Sequence, residues 1–253
     1  MGLTKRRKLE FIDKGYLHIP GVVPPERIAE SLRIINRQLG EKPRAETTPH
    51  HVPFFADLFQ APELMGMLLD TPLLSVVESL IGAGRVDRPQ AEVTLGFPNA
   101  DERVHFNGKE LHIDGFPDKG RQETYTLNAG VFLSDIPAPF MGNFKVCPGS
   151  HLEVAEHARR HGHAGINASL RELRFPKTEQ LLVKAGDAVV CHYNLVHSRE
   201  WNCSPNIRYA VFFRIYAAGH LDRWEKALRE PWLEWEGIKE LTGRPLRGCE
   251  PNR

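Results

Sequence analysis

The sequence lacks what a membrane protein, a disulfide scaffold or a general nucleic-acid binder needs. None of its apolar runs reaches the ~18 residues of a membrane-spanning helix, so no membrane partner is expected. Only four cysteines occur (Cys147, Cys191, Cys203 and Cys249), far apart and without a CxxC pair. That spacing argues against a thiolate zinc site and a disulfide framework. Neither sign of charge prevails: 33 Lys+Arg against 32 Asp+Glu leave +1 at pH 7. Without a basic surplus or stripe, no nucleic-acid partner is expected. The basic stretch Lys5-Arg6-Arg7-Lys8 is not followed by the apolar core of a signal peptide, which predicts a cytoplasmic protein. Internal repeats, low-complexity tracts and obvious linkers are missing too, so residues 1–253 read as one domain. Nothing in the sequence reports an oligomeric state.

What is present is the material of a folded core, with 41% hydrophobic residues and 13 Phe. The part up to about residue 85 reads as helical. Pro24-Pro25 opens a segment with Ile28, Leu32, Ile35 and Leu39 at helical spacing, closed by Gly40. Shorter apolar helices are expected over about Pro62 to Leu69 and Pro72 to Ile81, the second stopped by Gly82. From about residue 88 to 216 the runs turn short, β-branched or aromatic, broken by Gly, Pro, Asn and Asp. Strands are expected near Gln90–Phe97, Glu110–Ile113, Thr124–Leu133, Asn143–Cys147, Leu181–Val183, Ala188–His192 and Ile207–Tyr216. Residues 151–175 read as a long loop or a short helix. A Trp-bearing amphipathic tail over about 222–242, broken at Pro231, reads as one helix or two. The expected class is α+β with a mainly β core, a sandwich or barrel of two packed sheets with flanking helices.

The chemistry begins at Leu111-His112-Ile113-Asp114-Gly115. On a strand, residues i and i+2 share a side, so His112 and Asp114 can address one point. The best third ligand is His197, just after the apolar strand Ala188–His192. Two imidazoles and one carboxylate on one face of an ion suit non-haem Fe(II), with open positions for a co-substrate and O2. Eleven residues after His197 comes Arg208, which opens an apolar strand. A guanidinium inside such a barrel is costly unless paired, and its planar fork matches the distal end of a dicarboxylate. Together these residues suggest an iron site with a bound 2-oxo acid.

These pieces, in this order, resemble the phytanoyl-CoA dioxygenase family of Fe(II)/2-oxoglutarate oxygenases. Phe11-Ile12-Asp13-Lys14-Gly15-Tyr16 with Ile19-Pro20-Gly21 resembles the family's opening. His112-x-Asp114 follows, then Gly142-Asn143 through Pro148-Gly149-Ser150-His151, Gly186-Asp187, His197 and Arg208. The resemblance covers about residues 8–216 and implies a double-stranded β-helix (jelly roll, cupin-like) with flanking α-helices. It implies that His112, Asp114 and His197 hold Fe(II), that Arg208 takes the C5 carboxylate of 2-oxoglutarate, and that a substrate C–H is hydroxylated with release of succinate and CO2. With Asp114 present, halogenation is disfavoured. One departure stands out: where many members carry a bulky aromatic on the strand after HxD, this chain has Leu127-Asn128-Ala129-Gly130. Gly130 is expected to open the pocket, or to admit Thr126 and Asn128 as further 2-oxoglutarate ligands.

Plainer readings compete. His192, five residues before His197, is read as a satisfied barrel or loop histidine, and His151 as part of a turn. His157, His161 and His163 read as a solvated loop rather than a second metal cluster. Arg121, Arg174, Arg199 and Arg214 read as surface charges or ion pairs, although any could meet an anionic substrate. A jelly-roll protein that binds a ligand or partner without catalysis is the alternative function. A zinc enzyme using the same three ligands is another, against which Arg208 counts. No basic cluster for the phosphates of coenzyme A is evident, which favours a small-molecule substrate.

Overall fold

Thr4 starts the first helix, α1 (Lys5–Lys14), by accepting the Arg7 N–H on its hydroxyl. Gly15 ends it with φ 79°, and its N–H bonds the Phe11 carbonyl at 2.7 Å. A side chain at Gly15 is doubly barred, because a Cβ there would also lie 2.8 Å from His151 Cγ. The computed structural model that shows this describes residues 2–41, 55–98, 111–114, 124–163, 166 and 170–242. Three helices occupy the expected places: α2 (Pro25–Glu41), α3 (Pro62–Leu69) and α4 (Pro72–Ile81). Thr71 caps α4 through its hydroxyl, and Pro72 fits the first turn, where no N–H partner is needed.

Eight strands follow among the described residues: β1 (Tyr16–Ile19), β2 (Val86–Gly96), β3 (Leu127–Phe132), β4 (Phe144–Val146), β5 (Glu179–Gln180), β6 (Ala188–His192), β7 (His197–Arg199) and β8 (Arg208–Ala217). They form two sheets, ordered β1-β6-β3-β8-β2 and β5-β4-β7, with every pairing antiparallel. The alternation of side chains divides the larger sheet cleanly. Ala91, Val93, Leu95, Leu127, Ala129, Val131, Val211, Phe213 and Ile215 join the main core with α1–α4. The other face carries Phe132, Val189, Cys191, Ala210 and Phe212, which pack with Phe144 and Val146 of the smaller sheet. This inner face is where the site is built.

Three expectations need correction. The strand expected at Leu181–Val183 is displaced: β5 lies at Glu179–Gln180, and Val183 makes only an isolated bridge to Ile136. Of the strand expected at Glu110–Ile113, Glu110 lies outside the described residues, and His112 forms a single bridge rather than a ladder. Of the long loop or short helix expected over residues 151–175, a helix forms, α5 (Ser150–His161), in which Val154, Ala155 and Ala158 bury one stripe, so His157 and His161 do not lie in a solvated loop. His157 is accordingly buried in it, its ring 4.5 Å from that of His161. The tail breaks near Pro231 as expected, into short helices at Trp224–Arg229 and Lys239–Thr242. Among the described residues no single helix is long and apolar enough to cross a membrane.

Candidate metal centre

β7 is held on one side by β4 and on the other by the stretch around His112. His112 and His197 are direct antiparallel partners: each N–H bonds the other's carbonyl, at 3.0 and 2.9 Å. Opposite residues of such a pair present their side chains on one face. Their rings lie 4.9 Å apart, and Asp114, two residues on, meets both. Asp114 Oδ1 is 3.4 Å from His112 Nε2 and 3.5 Å from His197 Nε2. One ligand atom from each of the three residues falls within 4.8 Å of the others, a set able to hold a metal ion. Two nitrogens and one carboxylate on one side of an ion are the donor chemistry of non-haem Fe(II) with open positions, so the residues present fit the implied metal.

The electrostatics agree. Burial alone would raise the Asp114 carboxyl, but the imidazoles of His197 and His112 hold it well below the usual range, so it is ionised at neutral pH. His197 Nδ1 lies 2.9 Å from the Leu195 carbonyl, which can only accept. Nδ1 therefore carries a proton, which leaves Nε2 as the ring nitrogen that faces the site and would bind a metal there.

The sequence reading missed Tyr125, whose hydroxyl donates to Asp114 Oδ2 at 2.9 Å. Burial, together with the neighbouring Asp114 charge, raises its pKa well above the ordinary tyrosine value, which keeps it a donor. Nothing local in the sequence marks it, since it belongs to an apolar-looking run and meets Asp114 only through the fold. Asn128 does reach the site, its Nδ2 3.5 Å from Asp114 Oδ2 and 3.3 Å from the Tyr125 hydroxyl. Thr126 does not. It precedes β3, so the strand's alternation does not govern it, and its hydroxyl donates to Glu234 Oε2 (2.7 Å) and accepts the Ala217 N–H (2.9 Å). There it sits with His220 in a buried polar cluster that ties the tail to the sheet.

Arg208 enters from β8 onto the inner face and is 3% exposed. Its Nε donates to the Gly142 carbonyl (2.9 Å), and its Nη1 to the Thr94 hydroxyl (2.8 Å) and carbonyl (3.2 Å). Among the described residues no carboxylate pairs with it. Burial and the nearby Arg199 charge press its pKa down to about 9, still protonated at neutral pH.

Gly130 does not open the pocket as expected. It pairs in register with Phe212 of β8, and a Cβ at Gly130 would lie 2.8 Å from Phe212 Cδ1 and closer still to Cε1. The aromatic bulk is thus supplied from the neighbouring strand, and Phe212 continues through Phe144 to His197, with ring centroids 5.2 Å apart at each step. His192 is a satisfied histidine at the end of β6, as read: Nε2 meets the Pro231 carbonyl at 2.7 Å, and Nδ1 accepts the Asn194 N–H. Of the four arginines, Arg214 pairs with Glu92 at 2.8 Å, and Arg121 lies outside the described residues.

Solved structures share this architecture. A non-heme alpha ketoglutarate dependent carbocyclase, SnoK from nogalamycin biosynthesis, aligns with TM-score 0.60 and 22% identity over 87% of this chain and 90% of its own. HygX from Streptomyces hygroscopicus, with nickel and 2-oxoglutarate bound, aligns at 0.55 and 21% over 86% and 88%. EctD from S. alaskensis, with 2-oxoglutarate and 5-hydroxyectoine, aligns at 0.55 and 19% over 85% and 76%. No curated protein matches. The sequence model of the phytanoyl-CoA dioxygenase family matches residues 11–210, most of the chain, and so the chain belongs to that family of iron- and 2-oxoglutarate-dependent oxygenases.

Proposed function

We propose that this oxygenase hydroxylates an unactivated C–H of a small organic substrate, with release of succinate and CO2. In this reading His112, Asp114 and His197 hold Fe(II), and Arg208 takes the distal carboxylate of 2-oxoglutarate. The observation that carries it is the convergence of three donor atoms within 4.8 Å, on an inner face that also holds a buried guanidinium with no carboxylate partner among the described residues. The two facing antiparallel sheets support a double-stranded β-helix, and the packing of α1–α4, Trp235 and Ile238 into one core with the larger sheet supports a single domain. A structural neighbour holding 2-oxoglutarate together with 5-hydroxyectoine favours a small molecule as substrate.

Fe(II) bound here supplies the redox chemistry that couples O2 reduction to oxidative decarboxylation of the 2-oxo acid. The chain's own residues do the rest. Asp114 brings a full negative charge, and His197 is preset in the ligating tautomer by Leu195. Arg208, steadied by Thr94 and Gly142, orients the co-substrate through its carboxylate. Phe144 and Phe212 wall the site with apolar surface and exclude water from beside His197. Under anaerobic conditions the protein with Fe(II) and 2-oxoglutarate should show a weak visible charge-transfer band, and with O2 it should form succinate. Asp114→Ala should lose both. A wild type without band or succinate, or an Asp114→Ala variant as active as wild type, refutes the proposal.

A further inference from the structure

We propose that Tyr125 and Asn128 are positioning residues that confine Asp114 to one metal-facing oxygen, keeping the coordination positions needed by 2-oxoglutarate and O2 open. The inference rests on the metal reading above. The two oxygens of Asp114 have separate company. Oδ1 faces both imidazole Nε2 atoms, at 3.4 and 3.5 Å. Oδ2 accepts the Tyr125 hydroxyl at 2.9 Å and faces Asn128 Nδ2 at 3.5 Å. Asn128 also donates to the Tyr125 oxygen at 3.3 Å, so one directed chain runs from amide to phenol to carboxylate.

Both residues are fixed where they stand. The Tyr125 ring is 1% exposed and meets the Tyr193 ring edge-on at 4.9 Å. The Arg214 guanidinium, held by Glu92, lies 5.9 Å from its centroid. Asn128 is 5% exposed, and its Oδ1 is buried without a hydrogen-bond partner among the described residues. An amide placed only to satisfy itself would not leave its carbonyl bare. Its NH2 end is instead committed to the Tyr125–Asp114 pair.

The consequence follows from counting positions. An octahedral ion held by two imidazoles and one carboxylate oxygen keeps three positions free, enough for a chelating 2-oxo acid and O2. A carboxylate that swings to bind through both oxygens takes one of the three and leaves the O2 position filled or the chelate incomplete. Hydrogen bonds to the outer oxygen prevent that swing and fix the lone pair of the inner one.

The test compares wild type with Tyr125→Phe, Asn128→Ala and the double variant. Three readouts are taken: melting temperature of the metal-free protein, Fe(II) affinity by anaerobic titration, and the charge-transfer band with Fe(II) and 2-oxoglutarate. Phe preserves the packing of Tyr125, so a merely structural role leaves metal affinity and band unchanged. The expected result for Tyr125→Phe is a metal-free melting temperature close to wild type, with Fe(II) affinity lowered about tenfold and a weakened or shifted band. The double variant should lose more. Fe(II) affinities within twofold of wild type and an unchanged band in both Tyr125→Phe and the double variant overturn the inference. Should Tyr125→Phe not fold, Asn128→Ala decides by the same two readouts. A wild type that shows no band at all fails the metal reading itself, whereas an intact wild-type band with unaffected variants fails only the positioning.

Discussion

Arg208 is a buried cation whose partners are a hydroxyl and two carbonyls. Dipoles of this kind offset only part of the desolvation of a guanidinium, which amounts to several kcal/mol for a buried ion. A carboxylate arriving from solution completes the arrangement, so the unliganded protein carries a local penalty that binding removes. Arg208→Met keeps length and apolar bulk without charge. It should leave the melting temperature of the metal-free protein unchanged or raised, while weakening 2-oxoglutarate binding by about 10- to 100-fold, the worth of a charge-assisted hydrogen bond of ~1.5–3 kcal/mol. Anaerobic titration of the Fe(II) protein with 2-oxoglutarate and a thermal melt check both halves. A large drop in melting temperature with unaltered 2-oxoglutarate affinity would make Arg208 a structural residue. At this scale the sequence was legible where spacing is local or ordered: His112 with Asp114, and His197 eleven residues before Arg208. It was silent on Tyr125 and misleading on Thr126, because whether a side chain just outside a strand turns inward is settled by what packs behind it. Here Glu234 and His220 of the distant tail claim the Thr126 hydroxyl.

Among the elements, β3 and β8 share the work of filling the inner face. Gly130 pairs with Phe212, so the ring lies across the space a β3 side chain would take. Gly130→Ala should therefore push the Phe212 ring toward Phe144, whose ring meets both Phe212 and His197 at a tilt. Overpacking of this kind costs about 1–3 kcal/mol. In Gly130→Ala/Phe212→Ala the added methyl meets no ring, so the effects of the two changes on chemical denaturation should be clearly non-additive. Additive effects would show that Gly130 and Phe212 do not compete for the same volume. The same pair shows why a glycine read in one strand cannot reveal pocket size: its neighbour across the sheet is 82 residues away in sequence. Helices α2–α4 were legible because caps, prolines and apolar spacing are local signals. β1, β5 and β7 were not, since strands of two to four residues give no period to detect and exist only through their partners. α5 was obscured by its polar composition, which hides the stripe of Val154, Ala155 and Ala158.

Across the whole molecule, two buried histidines join parts far apart in the chain, and their titration sets how the fold responds to acid. His151 begins α5 and meets the Ile12 carbonyl of α1 at 3.1 Å. His192 ends β6, meets the Pro231 carbonyl and stacks on Trp235 at 4.9 Å, while the two imidazoles lie 5.3 Å apart. Burial and the adjacent His192 keep His151 well below the usual histidine range, and burial brings His192 to about 4. Both are therefore neutral in the folded protein near pH 7. The unfolded chain takes up protons on them below about pH 6.5, whereas the folded chain does so on His192 only near pH 4. Between these values the unfolded state binds more protons, so stability is full above about pH 6.5 and falls as the pH is lowered toward 4. Each such group contributes a slope of at most ~1.4 kcal/mol per pH unit. His192→Gln retains a donor for Pro231 and an acceptor for Asn194 but cannot titrate. Measured by urea denaturation of the metal-free proteins, wild type should lose about 1 kcal/mol more than His192→Gln between pH 6 and 5. Taking the difference cancels the contribution of distant groups that the two proteins share, while His151, 5.3 Å from His192, is coupled to it, so the difference reads the pair rather than His192 alone. Parallel pH profiles would mean that His192 takes up its proton in the folded state as easily as in the unfolded chain, and the junction it forms between β6 and the tail would then not be what acid dissolves.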